Sequence, residues 1–323
     1  CLKCNFIFQS SAYKNNYDKK IKKVYKKYFI NHPFEFPRRD KTNLDALKFL
    51  IPHVKDNSSV LEIGSARGDF LYLLKQQIPT INTVGIEPST EITNVPTILS
   101  TFNKKIFSST FDIIIVRHTL EHIKYPKVFL KELISLTHKA TLIYIEVPNI
   151  EINLESLSED FEPDHVSYFS FSTLKFILNR YKIVDQDNTN FLRLLIQPKK
   201  RIKKKFDMKR NNKQIKQIKQ IFKNKSIFFN RIKNEKRKIV FYGVSGYYYA
   251  LIYQILQIRT LNNCFFYDDN YSNKIEKRFK LLREDNFNQT IVITCSNVPS
   301  VQNKMEENLK SFNCEVIKPW SKI

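Results

Sequence analysis

The segment Val60–Gly68 reads Val-Leu-Glu-Ile-Gly-Ser-Ala-Arg-Gly and decides the fold. It begins as a short apolar run typical of a buried strand, passes two glycines, and leads into Phe70–Gln77, which has the apolar spacing of a helix. In a strand–turn–helix of this kind, backbone N–H groups at the helix N-terminus can approach a nucleotide-type ligand. Only five glycines occur in the 323 residues. We therefore expect them to lie where the backbone conformation or a close ligand demands glycine.

Strands and helices alternate on both sides of this segment, from residue 58 to about residue 195. The predicted strands are Val60–Ile63, Thr83–Glu87, Phe111–Arg117 and Leu142–Pro148. The predicted helices are Asn43–Leu50, Phe70–Gln77, Pro126–Thr137 and Ser172–Asn179. Such alternation is typical of a parallel sheet covered by helices on both faces. The predicted fold class is α/β, with a Rossmann-like domain here.

A second, smaller Rossmann-like domain is predicted from residue 238 onward. Its predicted strands are Ile239–Tyr242, Cys264–Tyr267, Thr290–Cys295 and Glu315–Lys318, with a glycine turn at Gly243–Gly246 and a helix at Tyr248–Ile258. Two domains agree with the length, because a single hydrophobic core rarely grows beyond about 250–300 residues. We divide the chain into an aromatic and basic segment (1–42), the first domain (43–198), a basic linking helix (199–237) and the second domain (238–323).

Composition excludes several classes of protein. Hydrophobic residues make up 42% of the chain, which is too many for wholesale disorder. No apolar run approaches the ~20 residues of a membrane span. Five cysteines and no signal peptide do not fit a secreted disulfide scaffold. We expect a soluble, cytoplasmic protein.

Two acidic residues stand out against the predicted sheet. Glu62 lies inside a buried strand, where a carboxylate costs several kcal/mol unless it is paired, and a ligand amine could pair with it. Glu87 follows Gly68 by nineteen residues, at the tip of the next strand. An acid at that position is well placed to accept hydrogen bonds from both hydroxyls of a ribose.

These residues resemble the first motif, and the acid that follows it, of class I S-adenosylmethionine-dependent methyltransferases. Phe111–Ile123 is similar to the fourth-strand motif of the same family. The resemblance implies that Glu87 binds the ribose and that His118 lies beside the transferring methyl group. It assigns the methionine end of S-adenosylmethionine to Glu62, Gly64, Ser65, Ala66 and Gly68. Ala66 departs from the family pattern, since many members have glycine there.

The acceptor side is predicted from the loop 161–170, Phe-Glu-Pro-Asp-His-Val-Ser-Tyr-Phe-Ser. Imidazole is the side chain whose pKa lies nearest neutrality, so His165 suits proton abstraction. The loop resembles a segment of deoxysugar C-methyltransferases, which act on nucleotide-linked keto-sugars. The resemblance implies that His165 is the general base and that Asp164, in place of the family's Glu, orients it. Glu162 stands where that family has a catalytic Tyr, and similar loops occur in O-methyltransferases, so carbon and oxygen acceptors both stay open.

Both ends of the chain extend this resemblance. Cys1 and Cys4, followed by aromatic residues, are similar to the second half of the family's N-terminal zinc module. A structural zinc takes four ligands, so we expect no complete zinc site here. We also expect no catalytic metal, and we expect His122 to anchor its turn rather than bind a metal. Near the C-terminus, Gly243–Gly246, Asp268–Asn270 and Lys274 follow the family order, which implies a role in holding the nucleotide.

The positive charge of the chain keeps RNA open as an alternative substrate class. The chain carries a net charge of +23, and residues 199–238 hold 18 Lys and Arg against two acids. Ile215, Ile218 and Phe222 predict a long basic helix there with a narrow apolar stripe. Such a segment could bind RNA phosphates, although attracting a pyrophosphate-bearing substrate needs only part of this charge.

The sequence therefore predicts an S-adenosylmethionine-dependent methyltransferase that acts on a nucleotide-linked sugar or a similar small polar metabolite. The alternatives are an O-methyltransferase of a polysaccharide-precursor metabolite, an RNA methyltransferase, and a catalytically inactive cofactor-binding protein.

Overall fold

The computed structural model describes residues 6–13, 37–88, 93–155, 164–199, 212–243, 263–268, 280–281, 287–296 and 299–318. The chain divides into two compact units. The first takes in Cys1–Ile152 and Pro163–Asn211, and the second takes in Asn153–Glu162 and Asn212–Ile323. Within the described parts of the chain, no helix combines the length and the apolar character that crossing a bilayer requires.

The first unit is built around a seven-stranded sheet. The strands of this unit are β1 (Ile7–Phe8), β2 (Ser59–Ile63), β3 (Asn82–Ile86), β4 (Thr97–Ile98), β5 (Phe111–Arg117), β6 (Thr137–Pro148), β7 (Ser167–Tyr168), β8 (Tyr181–Asp187) and β9 (Phe191–Pro198). Its helices are α1 (Pro37–Leu50), α2 (Asp69–Gln77), α3 (Pro126–Leu133), α4 (Ile150–Glu155) and α5 (Phe171–Ile177). The strand order in the large sheet is β4-β3-β2-β5-β6-β9-β8, while β1 and β7 pair separately.

The Rossmann-like fold class is confirmed, and the four predicted strands pair parallel, but the sheet also contains an antiparallel hairpin that was not predicted. Strands β2 to β6 run parallel, whereas β9 is antiparallel to both β6 and β8. The physical reason is the short connection 188–190, because a tight turn can join only antiparallel neighbours. The sheet is therefore mixed, with an antiparallel hairpin at one end.

Both faces of this sheet are buried, which explains its continuous apolar strands. Val60 and Ile113 belong to one buried cluster, together with apolar residues of α1 and α2. Leu61 and Ile114, their immediate neighbours in sequence, belong to the other cluster, with residues of α3 and α5. Alternate residues of a strand point to opposite faces, so each strand supplies both cores.

Three predicted element boundaries in the first unit, the start of α1, the end of α3 and the start of β6, differ from the structure by four residues or more. Helix α1 begins at Pro37, six residues before the predicted start at Asn43. Helix α3 ends at Leu133 and not at Thr137. Thr137 instead opens β6, because it pairs with Phe111 ahead of a register shift in that strand pair.

The second unit contains a five-stranded parallel sheet. Its described elements are α6 (Asn212–Asn234), β10 (Ile239–Tyr242), β11 (Cys264–Tyr267), β12 (Lys280–Leu281), β13 (Ile291–Thr294), α7 (Pro299–Leu309) and β14 (Glu315–Ile317). The strand order is β12-β11-β10-β13-β14, so the order reverses beside β10, as at the ligand crevice of doubly wound sheets. Gly243 follows β10 with a φ of +96°. The predicted helix Tyr248–Ile258 lies outside the described residues.

Helix α6 takes in Asn212–Asn234 of the predicted basic segment and belongs to the second unit, while residues 200–211 lie outside the described residues. Phe222, predicted on its apolar stripe, is 54% exposed. Ile221, Phe228 and Ile232 are fully buried instead. The position of the buried face was therefore wrong, because the sequence pattern alone does not fix which side of a helix its neighbours cover.

Candidate active site

The glycine turn after β2 is the central element of the candidate site. Gly64 and Gly68 have φ angles of +74° and +77°, the left-handed region that glycine enters without strain. A Cβ atom on Gly64 would lie 2.2 Å from Oγ1 of Thr119. That hydroxyl donates to the carbonyl oxygen of Ile63 (2.9 Å) and so fixes the turn from the neighbouring strand. No larger residue fits at Gly64.

Glu87 lies directly after β3 and reaches across to this turn. Its side-chain Oε2 accepts a hydrogen bond from the backbone N–H of Ala66 (3.1 Å), and the residue is only 7% exposed. Ala66 has a φ of +48°, so the position occupied by glycine in the resembling family keeps a left-handed backbone here. Ser65 packs against β3, where a Cβ on Gly85 would lie 2.4 Å from the Oγ of Ser65.

Glu62 is the buried acid of β2. It is 3% exposed, and none of the described residues gives its Oε2 atom a hydrogen-bond partner. Burial raises the pKa of Glu62 to about 8, against the lowering effect of the Arg117 charge, and the nearby Glu87 carboxylate adds to the rise. Glu62 lies in β2 and Glu87 directly follows the neighbouring strand β3, so both acids lie beside one glycine turn. The Arg117 charge does not offset the burial, so the neutral form of Glu62 is favoured.

A row of charged residues crosses three strands next to Glu62. Glu146 of β6 pairs in register with Arg117 of β5 and with Arg193 of β9. Its carboxylate accepts hydrogen bonds from Nε of Arg117 (2.8 Å), Nε of Arg193 (2.6 Å) and the hydroxyl of Tyr144 (2.7 Å). Burial opposes the ionisation of Glu146, but the His118 hydrogen bond and the Arg117 charge outweigh it and hold its pKa well below the usual range. The sequence analysis missed this row.

His118 is fixed between two carboxylates. Its Nε2 lies 2.9 Å from Oε1 of Glu146, and its Nδ1 lies 3.5 Å from Oε1 of Glu121. Burial lowers the pKa of His118, but the hydrogen bonds to Glu121 and Glu146 outweigh it and raise the pKa. His118 also has a left-handed backbone, with φ of +47°. The geometry therefore favours a charged imidazolium, directly after β5.

The predicted acid/base loop meets the turn that follows β5. The N–H of Val166 donates to the carbonyl of Glu121 (2.8 Å), which holds the two segments together. As a result the His165 and His122 rings lie edge to face, with centroids 4.9 Å apart. Asp164 contacts His122: its carbonyl oxygen lies 3.0 Å, and its Oδ2 3.8 Å, from Nδ1 of that ring. The sequence analysis found His165 and Asp164 but not their proximity to Glu121 and His122.

A piece of the N-terminal segment packs on this loop. Strands β1 and β7 pair antiparallel, and the N–H of Gln9 donates to the carbonyl of Val166 (2.9 Å). Tyr13 donates its hydroxyl proton to the carbonyl of Lys124 (2.7 Å). Glu162 and the pair Cys1 and Cys4 lie outside the described residues. Of the two predicted C-terminal motifs, Gly243–Gly246 and Asp268–Lys274, only the first residue of each is described. Their roles stay predictions.

Comparisons with known proteins agree with the geometry of the turn. Residues 37–182 match the family model described as "Methyltransferase domain". A curated relative, (S)-tetrahydroprotoberberine N-methyltransferase of Eschscholzia californica, is 25% identical in an alignment of length 155 that covers 41% of this chain and 44% of that protein. The chain thus spans less than half the length of this relative.

Two solved structures illustrate the similarity. The 1,6-didemethyltoxoflavin-N1-methyltransferase of Burkholderia thailandensis, solved with S-adenosylhomocysteine, aligns with 60% of this chain and 95% of its own, at 13% identity and a TM-score of 0.46. Coclaurine N-methyltransferase aligns with 48% of this chain and 53% of its own, at 16% identity and a TM-score of 0.36.

The family match and the carboxylate-lined glycine turn define the class of this domain. Residues 37–182 match a methyltransferase-domain family, as expected of a class I S-adenosylmethionine-dependent methyltransferase domain. The prediction of this class from Val60–Gly68 and Glu87 is confirmed, whereas the assignment of individual site residues stays a prediction.

Proposed function

We propose that this chain transfers a methyl group from S-adenosylmethionine to a small polar acceptor, with a nucleotide-linked sugar as the acceptor class. The observation that carries the proposal is the pair of buried acids, Glu62 and Glu87, beside the turn Gly64–Gly68. In this proposal Glu87 accepts hydrogen bonds from the ribose hydroxyls. Glu62, which forms no ion pair with any residue that the structure describes, pairs with the α-ammonium group of the methionine end.

Bound S-adenosylmethionine supplies a methyl group on a sulfonium centre. His165 takes the acceptor's proton at a ring nitrogen, so that the freed lone pair bonds to the methyl carbon as the carbon–sulfur bond breaks. The chain contributes mainly alignment, which can account for several kcal/mol of a methyl-transfer barrier. His165 is partly buried, and the backbone bond between Val166 and Glu121 fixes its segment.

Two observations support a nucleotide-sugar acceptor over the other acceptor classes. The aromatic segment around β1 packs on the His165 loop through β7, as expected if the N-terminal region belongs to the acceptor side. The second unit contains a parallel sheet with a left-handed glycine, Gly243, at the reversal of strand order. This is the usual ligand position in doubly wound sheets.

Replacing Glu87 with alanine is expected to weaken S-adenosylhomocysteine binding by about 10–100-fold, because a hydrogen bond to a charged group contributes about 1.5–3 kcal/mol. Isothermal titration calorimetry on the full chain measures this. Glu132→Ala, on the partly exposed side of α3, is the matched control and should bind like the wild type. Failure of the wild-type chain to bind S-adenosylhomocysteine would overturn the proposed function.

Binding of S-adenosylhomocysteine near pH 7 is expected to release about one proton. Glu62, with its pKa raised to about 8 by burial, is mostly protonated in the free chain at that pH. Pairing with the ligand ammonium favours the carboxylate, so the proton leaves. The release should shrink as the pH rises through about 8, where Glu62 is already ionised.

This proton release is measured from the dependence of the binding enthalpy on the ionisation enthalpy of the buffer. Glu62→Gln cannot ionise and should bind with no such dependence. Equal proton release by the wild type and Glu62→Gln would show that Glu62 does not contact the ligand ammonium.

A further inference from the structure

We propose that Glu121, His122 and His165 form a binding site for one divalent transition-metal ion, of which Zn²⁺ fits the ligand set best. Each residue offers one ligand atom, and the three atoms lie within 4.8 Å of one another. Two imidazoles and one carboxylate are the protein ligands of several catalytic zinc sites. The imidazoles favour zinc, copper, iron or nickel over magnesium and calcium, which prefer oxygen ligands only.

The backbone brings these ligands together from two distant parts of the sequence. Glu121 and His122 lie on the 3-10 turn Leu120–His122 directly after β5. His165 lies 43 positions after His122, just before β7. The hydrogen bond from Val166 N–H to the Glu121 carbonyl (2.8 Å) ties the residue after His165 to Glu121 itself. The cluster is therefore held by main-chain contacts and not by its side chains alone.

The ring of His122 is oriented as in known metal sites. Its Nδ1 lies 3.0 Å from the carbonyl oxygen of Asp164. A carbonyl oxygen only accepts hydrogen bonds, so Nδ1 carries the proton and Nε2 keeps its lone pair. Metal-binding histidines almost always donate their second ring N–H to a carbonyl or carboxylate in this way. The structure thus fixes the tautomer that binds metal.

Glu121 supplies a second, independent observation. The residue is 1% exposed, and its Oε2 atom has no hydrogen-bond partner among the residues that the structure describes. Its other oxygen, Oε1, lies 3.5 Å from Nδ1 of His118. A buried carboxylate oxygen with no partner is costly unless a cation binds it.

The cluster needs only a small closure to bind an ion. Ligand atoms at 2.0–2.1 Å from a tetrahedral zinc lie about 3.4 Å apart, so each pair must close by at most about 1.4 Å. Three protein ligands leave a fourth position open. If the proposed function holds, an acceptor oxygen bound there would lose its proton more easily, so the ion would assist the deprotonation for which the ion-free chain relies on His165. His122 then does more than anchor its turn.

Titration of the full chain with Co²⁺, a coloured substitute for Zn²⁺, tests the site. We expect one Co²⁺ per chain, with visible d–d absorption and no sulfur-to-cobalt charge-transfer band, because no thiolate takes part. Zn²⁺ should displace the Co²⁺. His122→Asn and His165→Asn should each weaken Co²⁺ binding by about 10-fold or more. His138→Asn, whose ring pairs with Asp112 outside the cluster, should bind Co²⁺ like the wild type.

The titration is carried out in a Cys1→Ser, Cys4→Ser background, so that binding by the N-terminal cysteines is excluded. The proposed metal site would be refuted if this double-cysteine variant showed no d–d absorption with Co²⁺. It would also be refuted if adding His122→Asn or His165→Asn to this variant left the absorption unchanged. Calorimetric binding of S-adenosylhomocysteine is measured in the same samples. If the wild-type chain binds S-adenosylhomocysteine but no Co²⁺, only the metal site is refuted and the proposed function stands.

Discussion

Replacing Glu146 with alanine is expected to lower the free energy of unfolding by about 3–5 kcal/mol, since removing one partner of a buried ion pair leaves uncompensated charge. Glu146 is fully buried, and it accepts hydrogen bonds from Arg117 and Arg193. Both arginine side chains are themselves at most 10% exposed. Without the carboxylate, two guanidinium groups would remain in the centre of the sheet with too few acceptors.

Urea unfolding followed by circular dichroism measures this effect as a shift in midpoint. Glu146→Gln keeps the size of the side chain and one accepting oxygen, so it should lose less stability than Glu146→Ala. Glu132→Ala, on the partly exposed side of α3, should stay within about 0.5 kcal/mol of wild type. A loss below about 1 kcal/mol for Glu146→Ala would show that the arginines find other partners.

Replacing His165 with asparagine is expected to slow methyl transfer by about 100- to 10,000-fold, the usual contribution of a general acid or base. Turnover is measured by mass spectrometry with S-adenosylmethionine and a panel of nucleotide-sugars. S-adenosylhomocysteine binding should stay unchanged, because Glu62, Glu87 and the turn Gly64–Gly68 lie on other segments. His138→Asn is the matched control and should retain wild-type turnover.

Unchanged turnover in His165→Asn would refute the role of His165 in the reaction. Carbon and oxygen acceptors are distinguished in the same assay. A chain that deprotonates carbon should incorporate solvent deuterium into a keto-sugar, whereas an oxygen methyltransferase should not. The variant His122→Asn distinguishes the two roles of this cluster. If His165 acts as a base without a metal, His122→Asn should retain most of the turnover. If the reaction depends on a metal bound by His122, the variant should lose turnover.

The parts of the fold that the sequence predicted are those encoded by local pattern. Phe111–Arg117 contains the apolar run Ile113–Val116, and it is strand β5 with the predicted bounds. The hairpin of β8 and β9 was missed. β8 is an edge strand whose burial alternates along its length, so it lacks the unbroken apolar run that marks a central parallel strand.

The charged row across β5, β6 and β9 could have been predicted from the sequence, because it places charged residues in buried strands. Glu146 directly follows the apolar stretch Leu142–Ile145 of β6, and Arg193 is the only charged residue of β9. A buried charge requires a partner, so two such strands predict each other as neighbours. Their pairing depends on register, and a shift of one residue would move each charge to the opposite face of the sheet.

The sequence by itself determined the class of the domain, because a glycine turn and two acids at fixed spacing are local features that few other folds use. It also identified Glu62, Glu87 and His165 as candidates by chemical type. Only the tertiary structure decided which groups meet. The contact of Glu87 with Ala66, the row through Glu146, and the approach of His165 to Glu121 and His122 all join segments separated by 20 or more positions. Strand order and register set those distances, and neither can be predicted from the residue spacing within a single motif.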